Sequence, residues 1–106
     1  MKRISLRPYA GQVFLFPSLA ALLKYHKKCG GTAYEPSIEP AGVTMSLRSG
    51  KEPWTHLVWA ASPTAMAHEM SHVALNVFED IGSNPVECNG EPFCYLLEQL
   101  LEDSAP

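Results

Sequence analysis

The sequence lacks long apolar runs and any excess of positive charge. None of its apolar runs approaches the length of about 20 residues that spans a bilayer. Acidic residues outnumber basic ones, 11 to 8, and the formal net charge is -3. A net negative charge does not attract the chain to nucleic acid or to an anionic membrane. We therefore expect neither a nucleic acid nor a membrane among its partners.

Cysteine is scarce, and its spacing fits no framework. The chain has three cysteines, Cys29, Cys88 and Cys94. An odd number at these spacings matches neither a set of disulfides nor a CxxC pair. Arg7, Pro8 and Gln12 interrupt the first apolar stretch, so the start of the sequence does not resemble a secretory signal. These features predict a reducing, cytoplasmic setting.

Internal repeats, linkers and low-complexity segments are also missing, so the 106 residues predict one domain over 1–106. Alternating and helical patterns of apolar residues predict the elements. They are strands at 3–7 and 13–16, a helix at 18–28, strands within 32–48 and at 54–61, and helices at 64–81 and 92–103. Thr64 is the expected N-cap of the helix that follows it. This order predicts an α+β domain with its helices on one face of a small antiparallel sheet.

Residues 68–72 read H-E-M-S-H, which is the H-E-x-x-H motif. Two histidines four apart on a helix differ by about 40° around the axis and one turn along it, so both rings can reach one ion. The motif predicts zinc bound by His68 and His72. Glu69, beside them, is the expected general base for a water that zinc makes acidic. The alternative is a pair of exposed or hydrogen-bonded histidines next to an acid.

The apolar residues of the motif helix form a separate stripe, which predicts its core-facing side. The stripe consists of Met66, Met70, Val73, Ala74, Val77 and Ile81. His68 and His72 point away from it and are not needed for its packing.

A catalytic zinc takes three protein ligands and keeps a position for water, so a third ligand is expected elsewhere. A metzincin pattern is absent, because Leu75 and Phe78 stand where its glycine and third histidine are required. The last helix carries a polar stripe apart from its leucines. From that stripe we expect Glu91 to be the third ligand and Tyr95 to stabilise an oxyanion.

Other interpretations of these residues stay open. Glu91 suits a helix N-terminus through the helix dipole alone, and Tyr95 suits a partly buried packing position. Cys88 and Cys94 are alternative ligands, although free cysteines are more often packing residues. His56 alternates with apolar residues along a strand, which favours a structural role.

Two segments resemble a family of small phage and prophage proteins of unassigned function. They are residues 67–72, A-H-E-M-S-H, and residues 90–97, G-E-P-F-C-Y-L-L. The resemblance extends over about residues 30–101 and includes G-G-T-A at 30–33. It implies a minimal zincin-like domain with His68, His72 and Glu91 as ligands. Pro92 departs from the pattern, which has a second acid or a small residue there. A weaker similarity is to phage-associated metallopeptidases that cleave repressors.

The sequence thus predicts a zinc-dependent hydrolase, most naturally a peptidase acting on a peptide or protein, with the strand at 54–61 bordering the cleft and pairing with substrate. The competing hypothesis is a phage accessory or assembly module that interacts with other phage proteins and keeps a zincin scaffold with structural zinc or none. A small binding domain without metal is a third hypothesis.

Overall fold

The structure, a computed structural model, describes residues 1–31 and 40–106. Its elements are β1 (Lys2–Ser5), β2 (Gln12–Leu15), α1 (Leu19–Lys28), β3 (Gly42–Leu47), β4 (Thr55–Ala60), α2 (Pro63–Asp80), a short 3-10 turn (Glu87–Gly90) and α3 (Glu91–Ser104). The strands expected within 32–48 are described only from residue 40 onward, where β3 is found. No helix in the described ranges combines the length and the hydropathy that crossing a bilayer requires.

The four strands form one mixed sheet in the order β1-β2-β4-β3. β1 with β2 and β3 with β4 are antiparallel pairs, whereas β2 and β4 run parallel. A parallel pair needs a crossover connection, and α1 lies in the segment that makes it. The fold is therefore α+β, as predicted, but the prediction of an antiparallel sheet was wrong at its centre.

Helices cover both faces of this sheet. Successive strand residues point to opposite faces, so the contacts of two neighbouring residues show what covers each face. Leu57 of β4 packs with Leu22 of α1, while its neighbour Val58 packs with Met70 and Val73 of α2. The expected single helical layer was therefore also wrong. α1 covers one face, and α2 and α3 cover the other.

The N-cap of α2 lies two residues before the predicted one, Thr64. Ser62 is the N-cap, and its hydroxyl accepts a hydrogen bond from the Ala65 amide at 3.1 Å. Its core stripe is also shifted from the predicted one, since Phe78 is buried and Ile81 is 48% exposed. The stripe faces β2, β4 and α3, so the opposite side of α2 is left for the histidines.

Helix α3 runs back along the apolar side of α2. Phe93 in its first turn packs against Phe78 near the end of α2, with ring centroids 5.8 Å apart. Leu101 in its last turn shares a cleft with Met66 near the start of α2. The two helices are thus antiparallel, and Glu91 at the start of α3 lies beyond the last turns of α2.

Candidate metal centre

His68 and His72 lie together on the exposed side of α2. Their Nε2 atoms are 3.2 Å apart, and their rings meet edge to face with centroids 4.9 Å apart. The His68 side chain is 70% exposed. One helical turn separates the two residues, so the spacing of the motif alone places the rings side by side.

This separation fits two ligands of one zinc ion. Zinc binds imidazole nitrogen at about 2.0–2.1 Å with tetrahedral angles, which puts two such nitrogens about 3.3 Å apart. The same separation also suits a hydrogen bond between the two ring nitrogens, with the donor and the acceptor set by the tautomers. Both side chains are exposed, so packing does not fix the orientation of either ring.

Glu69 is held differently from the histidines, since its side chain is only 9% exposed. The hydroxyl of Thr44, on β3, donates to Glu69 Oε1 at 2.9 Å and approaches the Glu69 carbonyl oxygen at 3.3 Å. The other carboxylate oxygen, Oε2, lies 3.9 Å from His68 Nε2. Strand β3 therefore fixes one oxygen of the carboxylate and leaves the other beside the histidines.

Gly42 allows this close approach of Glu69 to the strand. A Cβ atom at position 42 would lie 2.8 Å from Glu69 Cγ and 3.0 Å from Oε2. Non-bonded carbon atoms need about 3.5–4.0 Å, so any larger residue here displaces the carboxylate or the strand. The glycine acts through its small size and not through its backbone conformation.

These residues line one cleft of about 460 Å³ between α2 and β3, here named the His68 cleft. Its lining consists of Gly42, Val43, Thr44, Met45, His68, Glu69, His72 and Asn76. The two predicted histidine ligands and the predicted base thus share one cavity. The side chains of Val43 and Met45 pack toward α1, so the backbone of β3 itself borders this cleft.

Glu91 and Tyr95 lie elsewhere, which corrects the prediction that they join the histidines. They line a separate cleft together with Pro8, Tyr9 and Cys88. The reason is the packing of α3, which lies on the apolar side of α2, whereas His68 and His72 occupy the side that faces β3. Tyr95 is 67% exposed and is not the partly buried packing residue of the alternative interpretation either.

The cysteines do not replace Glu91. Cys88 belongs to the separate cleft, and Cys94 is a free, exposed residue on α3. Within residues 1–31 and 40–106, no group of three or more histidine, cysteine, aspartate or glutamate side chains is arranged to hold a metal. From these ranges, the candidate centre has two imidazoles and the adjacent carboxylate.

A second polar cleft, of about 450 Å³, adjoins the first and is named here the Trp54 cleft. Its lining consists of Ser46, Arg48, Trp54, His56, Asn76, Glu79 and Asp80. His56 is 3% exposed, and its Nδ1 lies 2.7 Å from the Ser46 hydroxyl. Burial lowers the pKa of His56, while the charge of Asp80 opposes that shift. The ring is therefore neutral near pH 7.

The sequence interpretation missed the polar face of β3. Gly42, Thr44 and Ser46 alternate with apolar residues, a pattern that predicts a half-buried strand with its polar face toward solvent. In the structure that face meets α2, where Thr44 donates to Glu69 and Ser46 accepts from Asn76. Asn76, one turn after His72, was also missed, although its spacing of four residues continues the motif.

The resemblance to small phage and prophage proteins rests on the sequence motifs alone. No protein-family model, no curated protein and no solved structure matches this chain. The resemblance and the zincin-like fold that it implies therefore stay predictions, and the geometry around His68, Glu69 and His72 is the support on which a function can be proposed.

Proposed function

We propose that this protein is a zinc-dependent hydrolase of peptides with a minimal zincin-like fold. The observation that carries the proposal is that two potential zinc ligands and a potential general base lie in one cleft. His68 Nε2 and His72 Nε2 are 3.2 Å apart, at the spacing of two zinc ligands, and a buried carboxylate oxygen of Glu69 lies 3.9 Å from the first of them.

Each residue has a distinct part in this proposal. His68 and His72 hold the ion through Nε2. Zinc, when bound, supplies Lewis-acid chemistry, lowering the pKa of water to about 7 and polarising a carbonyl oxygen. Glu69 accepts the proton of the attacking water at Oε2 and delivers it to the leaving nitrogen. Thr44 leaves Oε2 free for this transfer, because its hydroxyl engages Oε1.

The peptide has a natural place along β3. The sequence favoured residues 54–61 for strand addition, but β4 is flanked by β2 and β3 and has no free edge. Among the described residues, no strand pairs with the other edge of β3, and residues 42–45 of this strand line the His68 cleft. An extended peptide that adds to this edge passes directly beside His68 and His72.

The first test is the zinc content of protein purified without chelators, measured by elemental mass spectrometry. We expect about one zinc per chain. His68→Ala and His72→Ala should lose it, and His26→Ala, a histidine outside the cleft, should retain it. Wild-type protein that takes up no zinc when zinc is offered would overturn the proposal.

Glu69→Gln separates binding from catalysis. The amide keeps the size of the side chain but cannot accept the proton, so we expect full zinc content and a loss of peptide hydrolysis of at least about 100-fold. Hydrolysis at the wild-type rate by this variant would refute the assigned role of Glu69.

The second candidate function is an interaction module, such as a phage accessory or assembly protein, in which a partner completes the coordination of zinc. The number of ligands favours this function. Among the described residues, no third histidine, cysteine or acidic side chain joins His68 and His72 in a group that could hold a metal. X-ray absorption of the zinc complex distinguishes the two functions. A closed, four-ligand shell formed only with a partner supports the module, and an open position filled by water supports the hydrolase.

A further inference from the structure

The Trp54 cleft continues the His68 cleft along the groove between α2 and β3. Asn76 lines both cavities. On α2, Asp80 follows His72 by eight residues, which is about 12 Å along the helix. A peptide extended along β3 covers that length with about three to four residues. The second cleft therefore lies within reach of a substrate bound at the first.

The acidic side chains of the Trp54 cleft have no basic partner. In the described ranges, the sole contact within 4.0 Å between a basic and an acidic side chain is that of His68 with Glu69, so Glu79 and Asp80 form no salt bridge. Arg48 lines the same cleft but forms no salt bridge with either carboxylate. Its Nε donates to the Glu52 carbonyl oxygen at 3.1 Å, and its guanidinium lies 5.5 Å from the centre of the Trp54 ring.

His56 provides an independent indication of a ligand. The residue is 97% buried, yet it lines the cleft, and its Nδ1 is already paired with Ser46. Its Nε2 has no hydrogen-bond partner among the described residues. Among these residues, Gln12 Oε1 is the one fully buried side-chain atom without a partner, so His56 Nε2 keeps some contact with solvent. A buried imidazole thus presents an unused nitrogen to the cavity.

We propose that the Trp54 cleft is a binding subsite for the cationic side chain of a lysine or arginine in a peptide that follows β3. Glu79 and Asp80 accept hydrogen bonds from the ammonium or guanidinium group. Asp80 already accepts one from Trp54 Nε1 at 3.1 Å, which orients its carboxylate and leaves its second oxygen free. A neutral His56 adds no charge that repels the cation.

This inference deepens the proposed function and rests on it for the identity of the ligand as a peptide substrate. It assigns a substrate class, namely peptides with a basic residue about three or four positions from the cleaved bond. Charge selects this class, because the lining carries two carboxylates without a salt bridge against one guanidinium, which leaves it with a net negative charge.

The test is an NMR titration of protein that has been incubated with zinc, with peptides of alanine and serine that carry one central lysine, arginine, norleucine or glutamate. The chain has two tryptophans, so Trp59 is an internal control for the indole resonance of Trp54. We expect the lysine and arginine peptides to shift the Trp54 indole and to bind about fivefold more tightly than the norleucine peptide. Equal affinity of the lysine and norleucine peptides would overturn the subsite.

The double variant Glu79→Gln, Asp80→Asn is expected to remove the preference for lysine. Asp80→Asn keeps an oxygen for Trp54 Nε1, and Glu79 is exposed, so neither change disturbs the core. Glu98→Gln, an exposed glutamate on α3, is the matched control for lost charge and should leave the preference intact. A double variant that still prefers lysine would refute the assignment.

Zinc content and hydrolysis, measured on the same samples, separate this inference from the proposed function. A lysine preference in protein that binds no zinc supports the subsite and overturns the hydrolase. Zinc binding and hydrolysis without any lysine preference support the hydrolase and overturn the subsite.

Discussion

Single residues in the His68 cleft differ in what holds them in place. His68 and His72 are exposed and contact each other, whereas Glu69 is buried between α2 and β3 and takes its hydrogen bond from Thr44. A buried carboxylate that loses such a partner keeps the cost of desolvation without its compensation. Thr44 is therefore the residue through which the sheet positions Glu69, the proposed general base.

Thr44→Val tests this positioning role. Valine keeps the shape of threonine but has no hydroxyl, so we expect a loss of about 1–3 kcal/mol in the free energy of unfolding, measured by urea denaturation. Thr44→Ser keeps the donor and should recover most of that loss. If the valine variant is as stable as wild type, the hydrogen bond does not hold Glu69.

His56 makes stability depend on pH. Burial lowers its pKa in the folded state below the value of about 6.5 for the unfolded chain, with Asp80 opposing the shift in part. Between the two pKa values the unfolded chain binds more protons, so the free energy of unfolding decreases as pH falls below about 6.5. Above that pH both states hold a neutral ring and this contribution is fully present.

The measurement is the urea midpoint of wild type and of His56→Gln at about pH 7.5 and about pH 5.0. The glutamine variant should lose less stability between the two conditions than wild type does. The exposed histidines at 68 and 72 are the same in both proteins, so their contribution cancels. An identical decrease in both proteins would contradict the role of His56.

At the scale of elements, the start of α2 depends on Ser62. Its hydroxyl caps the helix through the Ala65 amide, and Thr64 lies inside the first turn without a capping bond. Ser62→Ala should therefore cost about 1 kcal/mol of stability. Thr64→Ala, the matched control at the position that the sequence favoured, should change stability by less than about 0.5 kcal/mol. Equal costs in urea denaturation would mean that Ser62 is not the cap.

Local patterns predicted the helices better than the sheet. The apolar period and the glycines that follow α1 and α2 located these helices within about two residues. The parallel pairing of β2 with β4 was missed, because pairing between distant segments leaves no local pattern. One signal was present: Phe14 and Leu57 add apolar side chains to the second face of their strands, which is typical of strands covered on both sides.

The same distinction applies to the candidate site. His68, Glu69 and His72 are positioned by one helix, so their spacing alone predicted that they meet. Glu91 and Tyr95 depended on which side of α2 the last helix covers. That side is decided by Phe78 and the rest of the apolar stripe. One member of the stripe was predicted wrongly, since Phe78 is buried and Ile81 is exposed.

At the scale of the whole molecule, zinc should act as a stabilising ligand. An ion that binds only the folded chain raises the melting temperature, by about 5–10 °C at concentrations well above the dissociation constant. Differential scanning calorimetry should show this shift for wild type and for Glu69→Gln. His72→Ala should show none, and a shift of equal size in that variant would place the ion elsewhere.

The burial of Glu69 beside exposed histidines divides the centre into a rigid half and an adaptable half. Rotation of exposed side chains takes picoseconds to nanoseconds, so two such side chains can release an ion and capture another while the fold stays intact. Displacing the carboxylate instead requires α2 to separate from β3 at Gly42, where no space is left. We therefore expect the proposed centre to tolerate exchange among metals of different size and to present each of them with the Glu69 carboxylate in the same position.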